Sequence, residues 1–227
     1  PYEKEETIPS KVSVSELKRM SQKEEETESV SLVPEAEEEK NAQSTVIMPK
    51  FRQEEAEVSG AGRGTVYHKI MEKLHFDRDA EEQLRELCSR GLVTEKELEC
   101  VNSAKIAKMC ASPLGKRMAQ AQRKDQLFRE QQFVMELPAG DVNSRWNSEE
   151  YILVQGIIDA YFIEEDHIVL VDYKTDFVKF KEASSLYEKY RVQLGCYKKA
   201  LESLTGYPVK EQIIYSFCLD RELTGSE

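Results

Sequence analysis

Two apolar runs that carry charge constrain this chain most. Val154-Gln155-Gly156-Ile157-Ile158-Asp159 is followed closely by Ile168-Val169-Leu170-Val171-Asp172-Tyr173-Lys174-Thr175. Both read as buried strands joined by the tight turn Glu164-Glu165-Asp166-His167. Side chains alternate faces along a strand, so Asp172 and Lys174 point the same way. Paired through that turn, the two strands would bring Asp159 and Asp172 together across the sheet. Buried charge without a partner is costly, so this grouping calls for a compensating ligand. Paired hard oxygen donors suit Mg²⁺ or Mn²⁺. A nearby lysine suits phosphate-ester chemistry, either by handling the attacking water or by stabilising developing charge. The bland alternative is an Asp capping a turn beside an ordinary Asp–Lys salt bridge.

The surrounding pattern is helix, three strands, helix, strand, an α/β order with a mixed sheet. A helix from about Arg63 to Leu74 puts Val66, Tyr67, Ile70, Met71 and Leu74 on one face. His68 falls at the edge of that arc. A lone histidine is more often structural or solvated than a ligand, but Gly64 one turn earlier leaves room beside the ring. Gly60-Ala61-Gly62-Arg63-Gly64-Thr65 fits neither phosphate-loop nor dinucleotide patterns, and is expected to be a flexible entry to this helix.

Residues 79–122 read as an inserted set of helices. Ala80 to Ser89 is closed by Gly91, Thr94 opens the next with Glu97 in a capping box, and Ser112-Pro113 opens a third. Lys105, Lys108, Lys116, Arg117, Arg123 and Lys124 form either a phosphate-contacting surface or a solvated face, and composition favours the latter. Leu127 to Leu137 is the first strand, with Glu130 inside it. A polar loop follows to Glu150, where Trp146 either packs locally or stacks on a base. Ala183 to Thr205 is an amphipathic helix with Leu186, Tyr190, Leu194, Tyr197, Leu201 and Leu204 on its apolar side and Gln193 nearby; Gly206 ends it. Lys210 to Leu219 is a final strand.

The 227 residues allow one well-buried domain plus a tail. The net charge of −11 argues against nucleic acid until its distribution is considered. Residues 1–58 hold 15 acidic and 8 basic side chains, whereas residues 59–227 hold 28 and 24. The segment 1–58 is therefore expected to be an acidic lead-in and linker, with a short helix near 13–20 capped by Ser13 or Ser15 and a solvated run from Glu24 to Lys40. The folded domain is expected at 59–227. No apolar run approaches the ~20 residues of a membrane span. The charged start lacks a signal-peptide core, and a first residue other than Met is expected of a piece of a longer protein. Five widely spaced cysteines with no C-x-x-C pair read as reduced cytoplasmic thiols.

Each feature alone is common; the ordered set is not. Gly64-Thr65-Val66-Tyr67-His68, Arg129-Glu130, Val154 to Asp159, Val171-Asp172-Tyr173-Lys174-Thr175-Asp176 and Tyr190-Arg191-Val192-Gln193-Leu194 resemble the RecB-like branch of the PD-(D/E)XK nuclease superfamily. Within that branch they are most similar in wording to nuclease domains of the AddA type. The resemblance spans about residues 11–20 and 59–220. It implies a restriction-endonuclease-like core with His68, Asp159, Asp172 and the Tyr173 carbonyl as ligands of Mg²⁺, which Mn²⁺ can replace. It implies Lys174 as the catalytic lysine, Glu130 as a carboxylate near the site, and Gln193 and Tyr197 as orienting groups. Further implications are cleavage of single-stranded DNA, on the 3′-ended strand, in double-strand-break processing. Helicase domains would lie upstream in the same polypeptide, with AddB as the partner protein and no membrane. The alternatives are a non-catalytic DNA- or partner-binding module of the same fold and a hydrolase of small phosphate esters. No cysteine quartet of the iron–sulfur kind is present.

Overall fold

A computed structural model describes residues 8–28, 60–143, 146, 148, 150–180 and 183–225. Its centre is a six-stranded mixed sheet with helices on both faces. Strand β3 (Tyr151–Glu164) is the longest and organises the rest. Along one edge it pairs antiparallel with β2 (Leu127–Pro138) over nearly its whole length. Along the other edge its neighbour changes. β1 (Lys11–Ser13) lies parallel to residues 153–155, and β4 (His167–Lys174) lies antiparallel to residues 160–164. Residues 156–159 pair with neither. The sheet continues from β4 to a parallel β5 (Val209–Ser216) and an antiparallel β6 (Arg221–Leu223). A parallel β4–β5 pair requires a long crossover, which the helix α8 (Ala183–Thr205) provides.

The N-terminal segment differs most from expectation. Composition separates residues 1–58 from the rest, yet residues 11–28 are built into the sheet and its helical cover. β1 pairs with β3, and α1 (Val14–Glu28) packs on α8 through Val14 and Leu17. Ser13, not Ser15, is the cap: its hydroxyl accepts from the Glu16 N–H at 3.2 Å, and Glu16 accepts from the Ser13 N–H at 2.8 Å. The helix runs past residue 20 to Glu28, into the start of the acidic run. The remainder of that run, to Lys40, lies outside the described residues.

On the other face, α2 (Gly60–Lys73) carries Val66, Tyr67, Ile70 and Met71 into a core shared with α3 (Ala80–Ser89), α5 (Ser103–Ala111) and α6 (Pro113–Arg123). The glycine-rich stretch expected as a flexible entry is the first turn of α2 itself. A Cβ on Gly64 would lie 3.2 Å from the Thr175 hydroxyl, so this helix approaches the end of β4 closely. The expected caps are present: Gly91 at φ 68° after α3, the Thr94–Glu97 box opening α4 (Glu95–Glu99), and Ser112 before Pro113. Asn102 adds a cap that divides the second expected helix into α4 and α5. A short α7 (Ala139–Val142) interrupts the loop after β2, and Trp146 packs against the core beneath α8. Leu204 is 60% exposed, so the apolar stripe of α8 ends at Leu201. The final strand is shorter than expected because the chain turns at residues 217–220 to form β6.

The basic side chains of the helical layer are mostly tied to acidic or carbonyl groups. Lys105 reaches the Phe217 and Cys218 carbonyls and Asp220, and Lys108 also pairs with Asp220. Arg117 forks onto Glu164 and Glu211. These contacts make those residues braces between layers. All five cysteines are free thiols. No helix among the described residues is long and apolar enough to cross a membrane.

Candidate functional site

Strand alternation accounts for half of the site and fails at the other half. Ile152, Val154 and Ile158 of β3 face the α8-side core, as period 2 requires, but Ala160 and Phe162 face the helical-layer core. The alternation therefore reverses at Asp159. β2 reverses at the same level, since Phe128 and Phe133 both contribute to the α8-side core. In the β2–β3 register Glu130 lies opposite Asp159, and it is the one position where the ladder is interrupted. Glu130 has φ 47°, a left-handed conformation that turns the strand. Further along, Gly156 makes room for the Phe133 ring opposite it, since a Cβ there would lie 2.8 Å from that ring.

The reversal aims Asp159 at groups from both sides. His68 on α2 places its Nδ1 3.2 Å from Asp159 Oδ1 and 4.0 Å from Glu130 Oε1. Asp159 Oδ2 accepts from the Tyr173 N–H at 2.8 Å. The ligating atoms of His68, Glu130 and Asp159 all lie within 4.8 Å of one another. Burial lowers the His68 pKa, but the adjacent Asp159 carboxylate outweighs it and leaves the imidazole above its ordinary value. Burial and the Asp159 charge raise Glu130.

Asp172 and Lys174 follow the expected alternation and point towards α8. Asp172 is fully buried, with Lys174 Nζ 2.6 Å from its Oδ2. That oxygen has an ion-pair partner but no aligned hydrogen bond. Its other oxygen accepts from Gln193 Nε2 at 3.1 Å, and Gln193 also donates to the Tyr197 hydroxyl at 2.9 Å. Burial, reinforced by Asp159 and opposed by Lys174, pushes the Asp172 carboxyl up to about 6. Lys174 is buried, which lowers its pKa, but Asp172 and Asp159 override this and hold it above the ordinary range. The lysine is charged at neutral pH. The Tyr173 ring, one residue away, turns into the opposite core.

All the sequence-derived site residues thus lie in one region, divided into two groups. Glu130 stands with His68 and Asp159, while Asp172 is engaged by Lys174 and Gln193. This donor set suits a hard divalent cation: an imidazole nitrogen and clustered carboxylates, one with a buried oxygen lacking a hydrogen bond. A second cluster, Glu164, His167 and Glu211, is spanned by the Arg117 guanidinium and is an ion-pair network.

Residues 36–224 match the family model of the PD-(D/E)XK nuclease superfamily. The chain belongs to this superfamily. Its sheet and flanking helices are the restriction-endonuclease-like core of that superfamily, with α3–α6 as a helical insertion. The chain is also similar to ATP-dependent helicase/nuclease proteins of the AddA type. It is 37% identical over 228 residues to that of Clostridium perfringens (strain 13 / Type A), covering 95% of this chain and 18% of the relative. It is 38% identical over 222 residues to that of Acetivibrio thermocellus, covering 96% and 17%. The relative from Clostridioides difficile is 35% identical over 232 residues, covering 97% and 18%. The chain therefore spans less than a fifth of the length of these curated relatives.

Tyr190, Asp176 and Lys18 are neighbours of this superfamily site to which sequence reasoning gave no role. Lys174 Nζ lies 4.3 Å from the Tyr190 ring centroid, and the Tyr190 hydroxyl donates to Asp176 at 2.9 Å. Tyr190 and Asp176 lie inside the matching motifs, which was the available signal. Lys18 lies in α1, inside the resembling stretch 11–20 but outside the ordered motifs that point to the site.

Proposed function

We propose that this chain is a Mg²⁺-dependent nuclease domain that hydrolyses phosphodiester bonds of single-stranded DNA. The observation that carries this reading is the convergence of His68, Glu130 and Asp159 beside the Asp172–Lys174 pair, from four different elements, where β3 reverses its faces. His68, Asp159 and Asp172, with the Tyr173 carbonyl, would hold the metal, and Glu130 stands close enough to join them. When bound, the cation supplies charge neutralisation at the phosphate and lowers the pKa of water.

The chain's own residues do the rest. Lys174, 2.6 Å from Asp172, would stabilise charge developing on the phosphate oxygens or handle the attacking water. Asp172 and the Tyr190 ring fix that ammonium from two directions. Gln193 holds the Asp172 carboxylate in position and is itself tied to Tyr197. A groove of about 660 Å³ opens beside Thr175 and is lined by Arg63, Asn102 and Phe177, the last 84% exposed. An exposed aromatic next to a guanidinium suits an unpaired strand, whose bases stack and whose phosphates carry charge.

The relatives' name supports placement within a larger ATP-dependent helicase/nuclease, and the proposal sets that enzyme in the cytoplasm, preparing broken DNA ends for recombinational repair. Upstream helicase domains would feed the 3′-ended strand to this site, and an AddB-type protein would complete the assembly. The test is Mg²⁺-dependent cleavage of single-stranded DNA by the chain, with Asp172→Ala and Lys174→Ala as controls. Undiminished cleavage by either variant would sink the assignment. A non-catalytic module predicts no Mn²⁺ binding by calorimetry.

A further inference from the structure

The break in β3's pairing leaves an opening between β1 and β4 at residues 156–159, and α1 starts at its border. Val14 and Leu17 are buried against the α8-side core, which fixes the helix rotationally. Lys18, the next residue, is thereby directed to the site. Its Nζ lies 3.6 Å from the Tyr190 ring centroid, the same ring that Lys174 approaches at 4.3 Å. Lys189 stands further off at 5.7 Å, so three ammonium groups surround one aromatic ring, with Lys18 and Lys174 nearest to it. The neighbouring carboxylates are already engaged: Asp176 by Lys189 at 2.9 Å and by the Tyr190 hydroxyl, Asp172 by Lys174 and Gln193. Among the described residues, no carboxylate lies within ion-pair distance of Lys18.

A largely buried ammonium next to like charges is unfavourable. Burial, then Lys189 and Lys174, push the Lys18 pKa down to about 8, with Asp176 and Asp172 only partly opposing them. Nothing in the packing requires charge here, since an apolar side chain of similar length would cover Tyr190 as well. Among the described residues, what the position lacks is an anion. In a phosphodiesterase that anion is the substrate's backbone.

We infer that Lys18 is a substrate ligand of this site, binding a backbone phosphate of single-stranded DNA adjacent to the one that is cut. The inference rests on the nuclease reading above. It makes the helix before the acidic segment a part of the active site, with Tyr190 as the shared platform that sets the spacing of the Lys18 and Lys174 ammonium groups.

The test measures affinity of the 227-residue chain for a fluorescein-labelled oligothymidylate by anisotropy, with Ca²⁺ replacing Mg²⁺, across a series of salt concentrations. Lys18→Gln is expected to weaken binding at least fivefold and to reduce the slope of log K against log salt by about 0.7, the release expected for one single-strand phosphate contact. Lys18→Arg should restore both. Replacing single phosphates by methylphosphonates should reveal one position, next to the cleavage site, that weakens the wild type but not Lys18→Gln. An unchanged salt slope, or identical methylphosphonate profiles, overturns the inference. So does a Lys18→Gln variant whose kcat falls with KM and slope unchanged, because Lys18 would then act only through Tyr190 on Lys174. Wild-type chain that binds DNA with the Lys18-dependent slope but never cleaves supports Lys18 as a phosphate ligand and sinks the nuclease reading. Cleavage without that slope does the reverse.

Discussion

Glu130 lies opposite Asp159 in the β2–β3 register, and both strands exchange their buried faces at that level. This one relationship joins His68, on one side of the sheet, to Asp172 and Lys174, on the other. Its backbone cost falls on Glu130 at φ 47°.

Two substitutions separate the backbone from the carboxylate. Glu130→Gly should raise unfolding stability by about 1 kcal/mol, because glycine adopts the left-handed conformation without penalty. Glu130→Gln should leave stability nearly unchanged. Both should weaken Mn²⁺ binding by roughly tenfold or more if Glu130 joins the metal shell. Chemical denaturation and calorimetric titration read the two effects independently.

Gln193 ties the buried Asp172 to Tyr197, so its loss leaves the buried Asp172 Oδ1 without its hydrogen bond. Gln193→Ala should cost about 1–3 kcal/mol of stability. Tyr197→Phe, which removes one hydrogen bond and keeps the ring against Phe133, should cost about 1 kcal/mol. Urea unfolding of both variants checks the order; a larger loss for Tyr197→Phe would contradict it.

The His68–Asp159 pair gives the metal-free protein a pH signature. Burial lowers the His68 pKa, and Asp159 more than offsets it, so the folded value lies above the unfolded one. Stability from this pair is fully present below about pH 6.5 and is lost as pH rises through the raised folded value. A metal on His68 must displace that proton, so Mn²⁺ affinity should increase with pH over the same window. Melting curves with and without Mn²⁺ should show opposite pH trends, and His68→Ala should abolish both.

Lys18 should show the opposite linkage. Its folded pKa of about 8 lies below that of an unfolded lysine, about 10.4. Between those values the unfolded chain binds the extra proton, so stability rises with pH. Below about pH 8 the full cost of the buried ammonium is present. Allowing for its partial exposure, Lys18→Met should therefore gain on the order of 1 kcal/mol at about pH 7, with the gain shrinking towards about pH 10. Thermal melts at several pH values test this; a Lys18→Met variant destabilised equally at every pH would contradict it.

Much of the fold was legible because its signals are local. The Thr94–Glu97 box, Gly91, Gly206 and the 183–205 stripe act over three or four residues, and the structure follows them. The Asp172–Lys174 pairing was legible for the same reason, since a two-residue spacing on one strand fixes a shared face. Tertiary structure alone decided three things. It placed Glu130 with His68 and Asp159 by reversing two strands at once, through a positive φ that no sequence pattern marks at a glutamate. It drew residues 11–28 into the sheet and its helical cover, although composition groups them with an acidic segment. It put Lys18 and Lys174, far apart along the chain, against the same Tyr190 ring, because β1 ends where β4 has not yet begun and α1 enters there.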